Sequence, residues 1–187
     1  MTPTFRTSQP GSAADPSLPH LILVGLPGSG KTTVGQAVAE QTGRTFLDLD
    51  QEIERREGRS IGQIFGEKGE TYFRKKEREL TEELTEVGNM IVAPGGGWVM
   101  AADVVAIVRP PSRLVYLRVR PDTALKRLGP MRMMRPLLTR PDPLSELTRI
   151  LEARKAAYES ADNVIDTELY GLQRVIEKVV ALATGKA

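Results

Sequence analysis

The chain has 187 residues, 40% of them hydrophobic and 27% charged, which is an ordinary globular composition with enough length for one domain and a substantial core. A formal net charge of +2 gives no argument for a nucleic-acid partner, and the lack of cysteine rules out disulfides and thiolate metal sites. No apolar run approaches a membrane span and the N-terminus lacks a basic-then-apolar signal pattern, so a cytoplasmic protein with no membrane partner is expected.

Residues 1–19 are rich in Thr, Ser, Pro, Gly and Ala. Such a stretch buries too little apolar surface to offset its ordering entropy, so a disordered extension is expected, followed by one domain over 20–187. His20, the only histidine, is assigned no chemistry. "LILVG" (21–25) reads as a strand buried on both faces. "KTTVGQAVAEQTG" reads as a helix stopped by Gly43, and "TFLDLD" (45–50) as a second strand. A charged helix, "QEIERREG", is followed by a short one capped by Ser60 and a longer one over "ETYFRKKERELTEELTEVG", ended by Gly88. "MIVAP" is a third strand, "ADVVAIVR" a helix ended by Pro110 and Pro111, "RLVYLRV" a fourth strand, and "PDTALKRL" a helix with Pro121 near its start. The stretch 129–143, with its prolines, arginines and methionines, reads as a loop. The helix "LSELTRILEARKAAYESA", the short strand "NVID" and the helix "YGLQRVIEKVVALA" complete the chain. Strands alternating with helices imply a parallel sheet covered on both faces, with ligands at the carboxyl ends of the strands.

The residues that follow the strands carry the chemistry. "GLPGSGKT" (25–32) matches G-x-x-x-x-G-K-[ST], with a strand before it and a helix after it. Gly28, Ser29 and Gly30 are expected to present backbone N–H groups to phosphates, with Thr33 on the following helix turn. Lys31 is expected to neutralise the β- and γ-phosphates and Thr32 to hold Mg²⁺, so a nucleoside triphosphate, most simply ATP, is the expected ligand. Asp48 and Asp50, two apart in extended chain, point the same way and suit a metal and a reacting hydroxyl. The residues alone leave equally open that Asp50 only caps a helix beginning at Gln51. Arg74 follows Tyr72 and Phe73, with Glu77 one turn on to orient it, and Arg154 lies one turn before Tyr158. Spacing alone does not distinguish these two from solvated arginines. "MRMMRPLLTRPDP" suits a loop that closes over ATP, though a basic RNA-binding patch or a plain surface loop fits the same residues. It lacks interleaved aromatics, which weakens the nucleic-acid reading. After the third strand, "PGGGW" places three glycines, Gly95, Gly96 and Gly97, which is more than a turn requires.

Taken in order, "GLPGSGKT", "DLD", "GRSIGQIF…GE..FR..E", "GGG", "RPLL" and "R...Y..A" resemble the shikimate kinases, from about residue 21 to 183. The resemblance implies a three-layer P-loop kinase fold with a five-stranded parallel sheet in the order 2-3-1-4-5, helices on both faces and a mobile lid over about residues 128–143. It implies transfer of the γ-phosphoryl of ATP to the 3-hydroxyl of shikimate, giving shikimate 3-phosphate and ADP on the route to chorismate and the aromatic amino acids. It also implies Mg²⁺, and it leans towards a monomer. By position, Asp50 resembles the acid that contacts the reacting hydroxyl, and Asp48 the outer-sphere magnesium acid. Arg74 and Arg154 resemble the pair that holds the shikimate carboxylate, and Gly95 to Gly97 the loop facing the substrate. Arg135 resembles the lid arginine that reaches the phosphates, and Arg127 resembles, more loosely, an arginine that stacks on adenine. A side chain on the triple glycine would take the space the substrate ring needs. A gluconate kinase would share the phosphate loop but not "DLD", the Arg74 context and "GGG" together, and a nucleotide-gated regulatory module would have lost the acceptor residues. The chain departs from the family at Pro94, which stiffens the approach to the glycines, at Trp98, an indole expected to narrow or wall the pocket, in the extra lid arginine Arg132, and in "ELYG", which offers no basic residue near the adenine.

Overall fold

In a computed structural model, which describes residues 18–130 and 141–185, the apolar runs form five short parallel strands. They are β1 (Leu21–Val24), β2 (Thr45–Asp48), β3 (Met90–Ala93), β4 (Arg113–Arg118) and β5 (Asn163–Asp166). Their order in the sheet is β2-β3-β1-β4-β5, as the family resemblance implies. The register pairs Asp48 with Ala93 and Val24 with Tyr116, so the chain leaves β1, β2 and β3 at one edge of the sheet. The phosphate loop, the acidic pair and the triple glycine therefore start side by side, although up to 70 residues separate them in sequence.

Seven helices are described: α1 (Lys31–Thr42), α2 (Leu49–Glu57), α3 (Ile61–Glu83), α4 (Ala102–Val108), α5 (Pro121–Leu128), α6 (Pro143–Glu159) and α7 (Leu172–Thr184). Side chains alternate across a strand, so β1 feeds two cores. Leu21 and Leu23 pack with Val34 and Val38 of α1 and Val175 and Val179 of α7. Ile22 and Val24 pack with Ile53 of α2, Phe73 and Leu80 of α3, Val104 of α4 and Leu147 of α6. No helix among the described residues is long and apolar enough to cross a membrane.

Several boundaries differ from the sequence reading, each for a local reason. β2 stops at Asp48 because the Asp48 carboxylate caps α2, accepting from the Gln51 N–H at 3.3 Å. Asp50 is therefore in the first turn of α2, where it neither extends the strand nor caps the helix. The two helices expected on either side of residue 69 run on as α3, with Gly69 at φ 79°, ψ 170° marking the break between them. Ser60 starts α3 with a full capping box: its hydroxyl accepts from Gln63 N–H while the Gln63 side chain accepts from Ser60 N–H. The helix ends at Glu83 rather than Gly88 and continues as a 3-10 turn, Leu84–Glu86. Of the expected N-terminal extension, residues 1–17 lie outside the described residues, and Leu18 accepts a hydrogen bond from Asn89 N–H at 2.9 Å. Of the expected lid, residues 131–140 lie outside them, Arg132 and Arg135 included.

His20 is buried at the start of β1 and uses both ring nitrogens. Nε2 donates to the Leu84 carbonyl at 2.9 Å and Nδ1 accepts from Met90 N–H at 3.2 Å, so the neutral Nε2–H tautomer satisfies both. Burial, which would strip a charged imidazolium of its hydration, pushes its pKa below the ordinary 6.5, with a smaller contribution from the Arg44 charge. The stability that His20 contributes is thus full above about pH 6.5 and lost as pH falls below it. Replacing His20 by Gln is expected to flatten this acid-side loss in urea melts between about pH 5 and about pH 7; an unchanged slope would show that His20 is not the group responsible.

Candidate active site

A cleft of about 710 Å³ opens at the carboxyl ends of the strands. One wall is the phosphate loop. Gly28 and Gly30 sit at φ 83° and φ 95°, a backbone region in which side chains are strained. The start of α1 has no side-chain cap and no acidic residue in its first turn. Its N–H groups and dipole are thus left to an anionic ligand. Ser29 Oγ is buried beside Gly25 without a hydrogen-bond partner among the described residues. Lys31 Nζ donates to the Gly25 and Leu26 carbonyls at 2.9 and 3.0 Å, which folds it back over the loop. Thr32 Oγ1 donates to Asp48 Oδ2 at 2.9 Å, so the two residues expected to serve a metal already touch.

The far end of the cleft is formed by Thr123 and Arg127 of α5 and, after β5, by Thr167, Glu168 and residues 170–172. Arg127 lines it, but its guanidinium is committed to Thr167, with Nη1 to the hydroxyl at 2.8 Å and Nη2 to the carbonyl at 2.9 Å. The sequence motifs point to this end only through Arg127 and the missing basic residue in "ELYG". The usable signal was that this loop leaves β5 at the same edge of the sheet as the others.

The opposite wall is the triple glycine. None of Gly95, Gly96 and Gly97 has a positive φ, and Gly97 sits at φ −90°, ψ −15°, which any residue adopts. These glycines provide space rather than backbone freedom. A Cβ on Gly95 would stand 2.6 Å from Asp50 Oδ1, one on Gly96 3.0 Å from Arg154 Nη1, and one on Gly97 2.6 Å from Arg74 Nη2. The turn is bare because three polar side chains, from α2, α6 and α3, press against it. Space for a ring there is the sequence expectation; the structure places the Asp50, Arg154 and Arg74 side chains against the glycines. Tyr158, buried in α6, donates to the Gly96 carbonyl at 2.9 Å. Burial pushes its hydroxyl pKa up against the pull of Arg154, so it remains a donor.

Glu77 completes the cluster. It is 2% exposed and pairs with Arg74, whose Nε and Nη2 also reach Glu70 at 3.2 and 3.0 Å. Its other oxygen, Oε1, has no partner among the described residues and faces Gly95. Burial is the largest influence on the carboxyl and, with the nearby Asp50 charge, pushes it up to about 7 against the Arg74 and Arg154 guanidiniums. The two residues read as departures beside the glycines sit differently. Pro94 lines the cleft. Trp98 does not: the 3-10 turn Trp98–Met100 carries the indole away from the cleft into the core, where it is 1% exposed.

A model of the shikimate kinase family matches residues 27–183. A curated shikimate kinase from Moorella thermoacetica is 39% identical over 149 residues, 80% of this chain and 85% of that protein. One from Symbiobacterium thermophilum is 37% identical over 163 residues, 86% of this chain and 94% of that protein. Among solved structures, shikimate kinase from Acinetobacter baumannii in complex with shikimate superposes with a TM-score of 0.83 at 36% identity, covering 91% of this chain and 95% of that one.

The raised Glu77 pKa has a thermodynamic consequence. A carboxyl with a folded pKa near 7 and an ordinary value near 4.5 stabilises the fold most below about pH 4.5, and that stability is lost as pH rises through about 7. Glu77→Gln, neutral throughout, is expected to remove this fall from urea melts between about pH 5 and about pH 7.5. A fall of the same size in the variant would place the Glu77 carboxyl at its ordinary value.

Proposed function

The chain belongs to the shikimate kinase family, and from that premise we propose that it transfers the γ-phosphoryl of ATP to the 3-hydroxyl of shikimate at the cleft described above. The observation that carries the proposal is the meeting of two unlike walls. One is a phosphate loop with an uncapped helix N-terminus. The other is a bare glycine turn against which Asp50, Arg74 and Arg154 converge. Two guanidiniums suit a carboxylate, which arginine forks bind in bidentate fashion, and carboxylates suit ring hydroxyls.

In this reading ATP lies along the loop, with Gly28, Ser29, Gly30 and Thr33 at the phosphates and Arg127 and Thr167 at the base end. Lys31 turns from the Gly25 and Leu26 carbonyls to the β- and γ-phosphates, where its charge offsets that which builds up during transfer. Arg74 and Arg154 fix the shikimate carboxylate, and Glu77 holds Arg74 in place. Asp50 orients the 3-hydroxyl and takes its proton while the hydroxyl oxygen bonds the γ-phosphorus and the bond to the ADP oxygen breaks. Arg135, outside the described residues, belongs to this reading as the arginine that reaches the phosphates. Thr32 would hold Mg²⁺ by its hydroxyl and Asp48 would act on the ion from outside its direct shell; an alcohol and a carboxylate side by side suit a hard cation. Bound there, Mg²⁺ would neutralise phosphate charge during transfer. A place on the route to chorismate, a cytoplasmic location and a monomeric state belong to the same reading.

Release of ADP in a coupled assay, with shikimate and gluconate supplied separately, tests the proposal. Turnover with shikimate alone is expected; turnover with gluconate, or with neither, contradicts it. Lys31→Ala is expected to lower kcat by about 100- to 1,000-fold through lost charge stabilisation, and an unchanged rate would remove the loop from the chemistry. Arg154→Ala is expected to raise the shikimate KM by about tenfold or more, the worth of a charged hydrogen bond, with the ATP KM within about twofold. If the ATP KM rises instead, the carboxylate role is wrong.

A further inference from the structure

Trp98 is the only tryptophan in the chain and follows the glycine turn directly. Its backbone N–H closes the turn by donating to the Gly95 carbonyl at 3.0 Å. Its indole is buried, and the indole N–H donates to Thr81 Oγ1 at 3.0 Å. Thr81 is itself fully buried, and its single hydroxyl proton goes to the Glu77 carbonyl at 2.7 Å. The chain of donors thus runs one way, from indole to hydroxyl to carbonyl, with each group satisfied. It ends on Glu77, the residue whose carboxylate pairs with Arg74. Arg74 in turn presses on Gly97, next to Trp98. The loop of contacts is closed: turn, indole, hydroxyl, helix backbone, carboxylate, guanidinium, turn.

We propose that Trp98 is a positioning residue for the acceptor site, fixing the glycine turn against the part of α3 that carries Arg74 and Glu77, and so setting the spacing between the bare backbone and the Arg74 guanidinium. The inference rests on the functional reading above. Packing alone does not require an indole here. A phenyl ring would fill much of the same space without a buried N–H, and that N–H carries a desolvation cost that only Thr81 offsets. The N–H gives the ring one orientation relative to α3, which a purely apolar contact does not. The turn is also held by the Tyr158 hydroxyl on the Gly96 carbonyl, so α3 and α6 both bind it. The indole bond and the Tyr158 bond are independent, and loss of the first leaves the second to hold Gly96.

The test measures KM for shikimate and for ATP in Trp98→Phe, Thr81→Val, the double variant and Thr81→Ser, with urea melts confirming that each is folded. Loss of one neutral hydrogen bond is expected to raise the shikimate KM about three- to tenfold in Trp98→Phe and in Thr81→Val, with kcat and the ATP KM within about twofold. The double variant is expected to be no worse than the poorer single one, since both remove the same bond, and Thr81→Ser, which keeps the hydroxyl, is expected to match the unsubstituted protein. If Trp98→Phe does not fold, the Thr81→Val and Thr81→Ser pair decides alone. Parallel rises in both KM values overturn the proposal by showing a general loosening of the fold. Shikimate turnover with an unchanged shikimate KM in the folded variants overturns this inference and leaves the functional reading standing. Absence of shikimate turnover in the unsubstituted protein overturns that reading and the inference with it.

Discussion

Three polar side chains from three separate helices lie against one stretch of backbone that has no side chains of its own. Asp50 reaches it from α2, Arg74 from α3 and Arg154 from α6, and a Cβ on the facing glycine would stand 2.6 Å from Asp50 or Arg74 and 3.0 Å from Arg154. The constraint is steric, but its consequence is electrostatic. Two guanidiniums and two carboxylates can share one wall only because the backbone between them occupies so little space. Burial raises the stakes, since an unpaired charge here would be costly. The cluster meets this with the Arg74–Glu77 pair, the Glu70 contact and the push on Glu77 towards its neutral form.

The sheet order brings that wall to the phosphate loop. β3 lies between β2 and β1, so the glycine turn leaves the sheet between the Asp48–Asp50 segment and the phosphate loop. A Cβ on Gly96 would lie 3.6 Å from the Gly25 carbonyl, the first residue of the loop motif. In the proposed reading, donor and acceptor thus sit at adjacent strand ends of one sheet, and alignment for transfer starts from topology. Thr32 and Asp48, bonded across α1 and β2, tie the same two halves at the level expected for the metal.

Much of this was legible in the sequence because it rests on local patterns. The continuous apolar runs gave the strands, and the phosphate loop declared itself through its full motif between a strand and a helix. Ser60 and Gly43 marked helix ends through their capping chemistry. What was not legible depends on contacts between distant residues. The end of β2 was not legible because Asp48 and Asp50 are both good caps; Asp48 is the one that also pairs with Ala93 of β3 and accepts from Thr32, contacts that no short-range pattern shows. Arg74 and Arg154 could not be told from other helix arginines by spacing, and the order of the family motifs, not their local chemistry, singled them out. Trp98 was misread as part of the pocket wall because a residue beside a glycine turn can face either way. Its direction is set by Thr81, seventeen positions earlier, which no short-range pattern links to it.

Calorimetric titration of Gly97→Ala with shikimate, in the absence of nucleotide, addresses the steric constraint most directly. Alanine is conformationally acceptable at φ −90°, ψ −15°, so the substitution adds only a methyl group where Arg74 Nη2 stands. The account predicts shikimate affinity weakened by about tenfold or more, the worth of a displaced charged hydrogen bond, with ATP binding unchanged. Shikimate affinity equal to that of the unsubstituted protein would contradict it, because the bare backbone would then have no part in placing the Arg74 guanidinium.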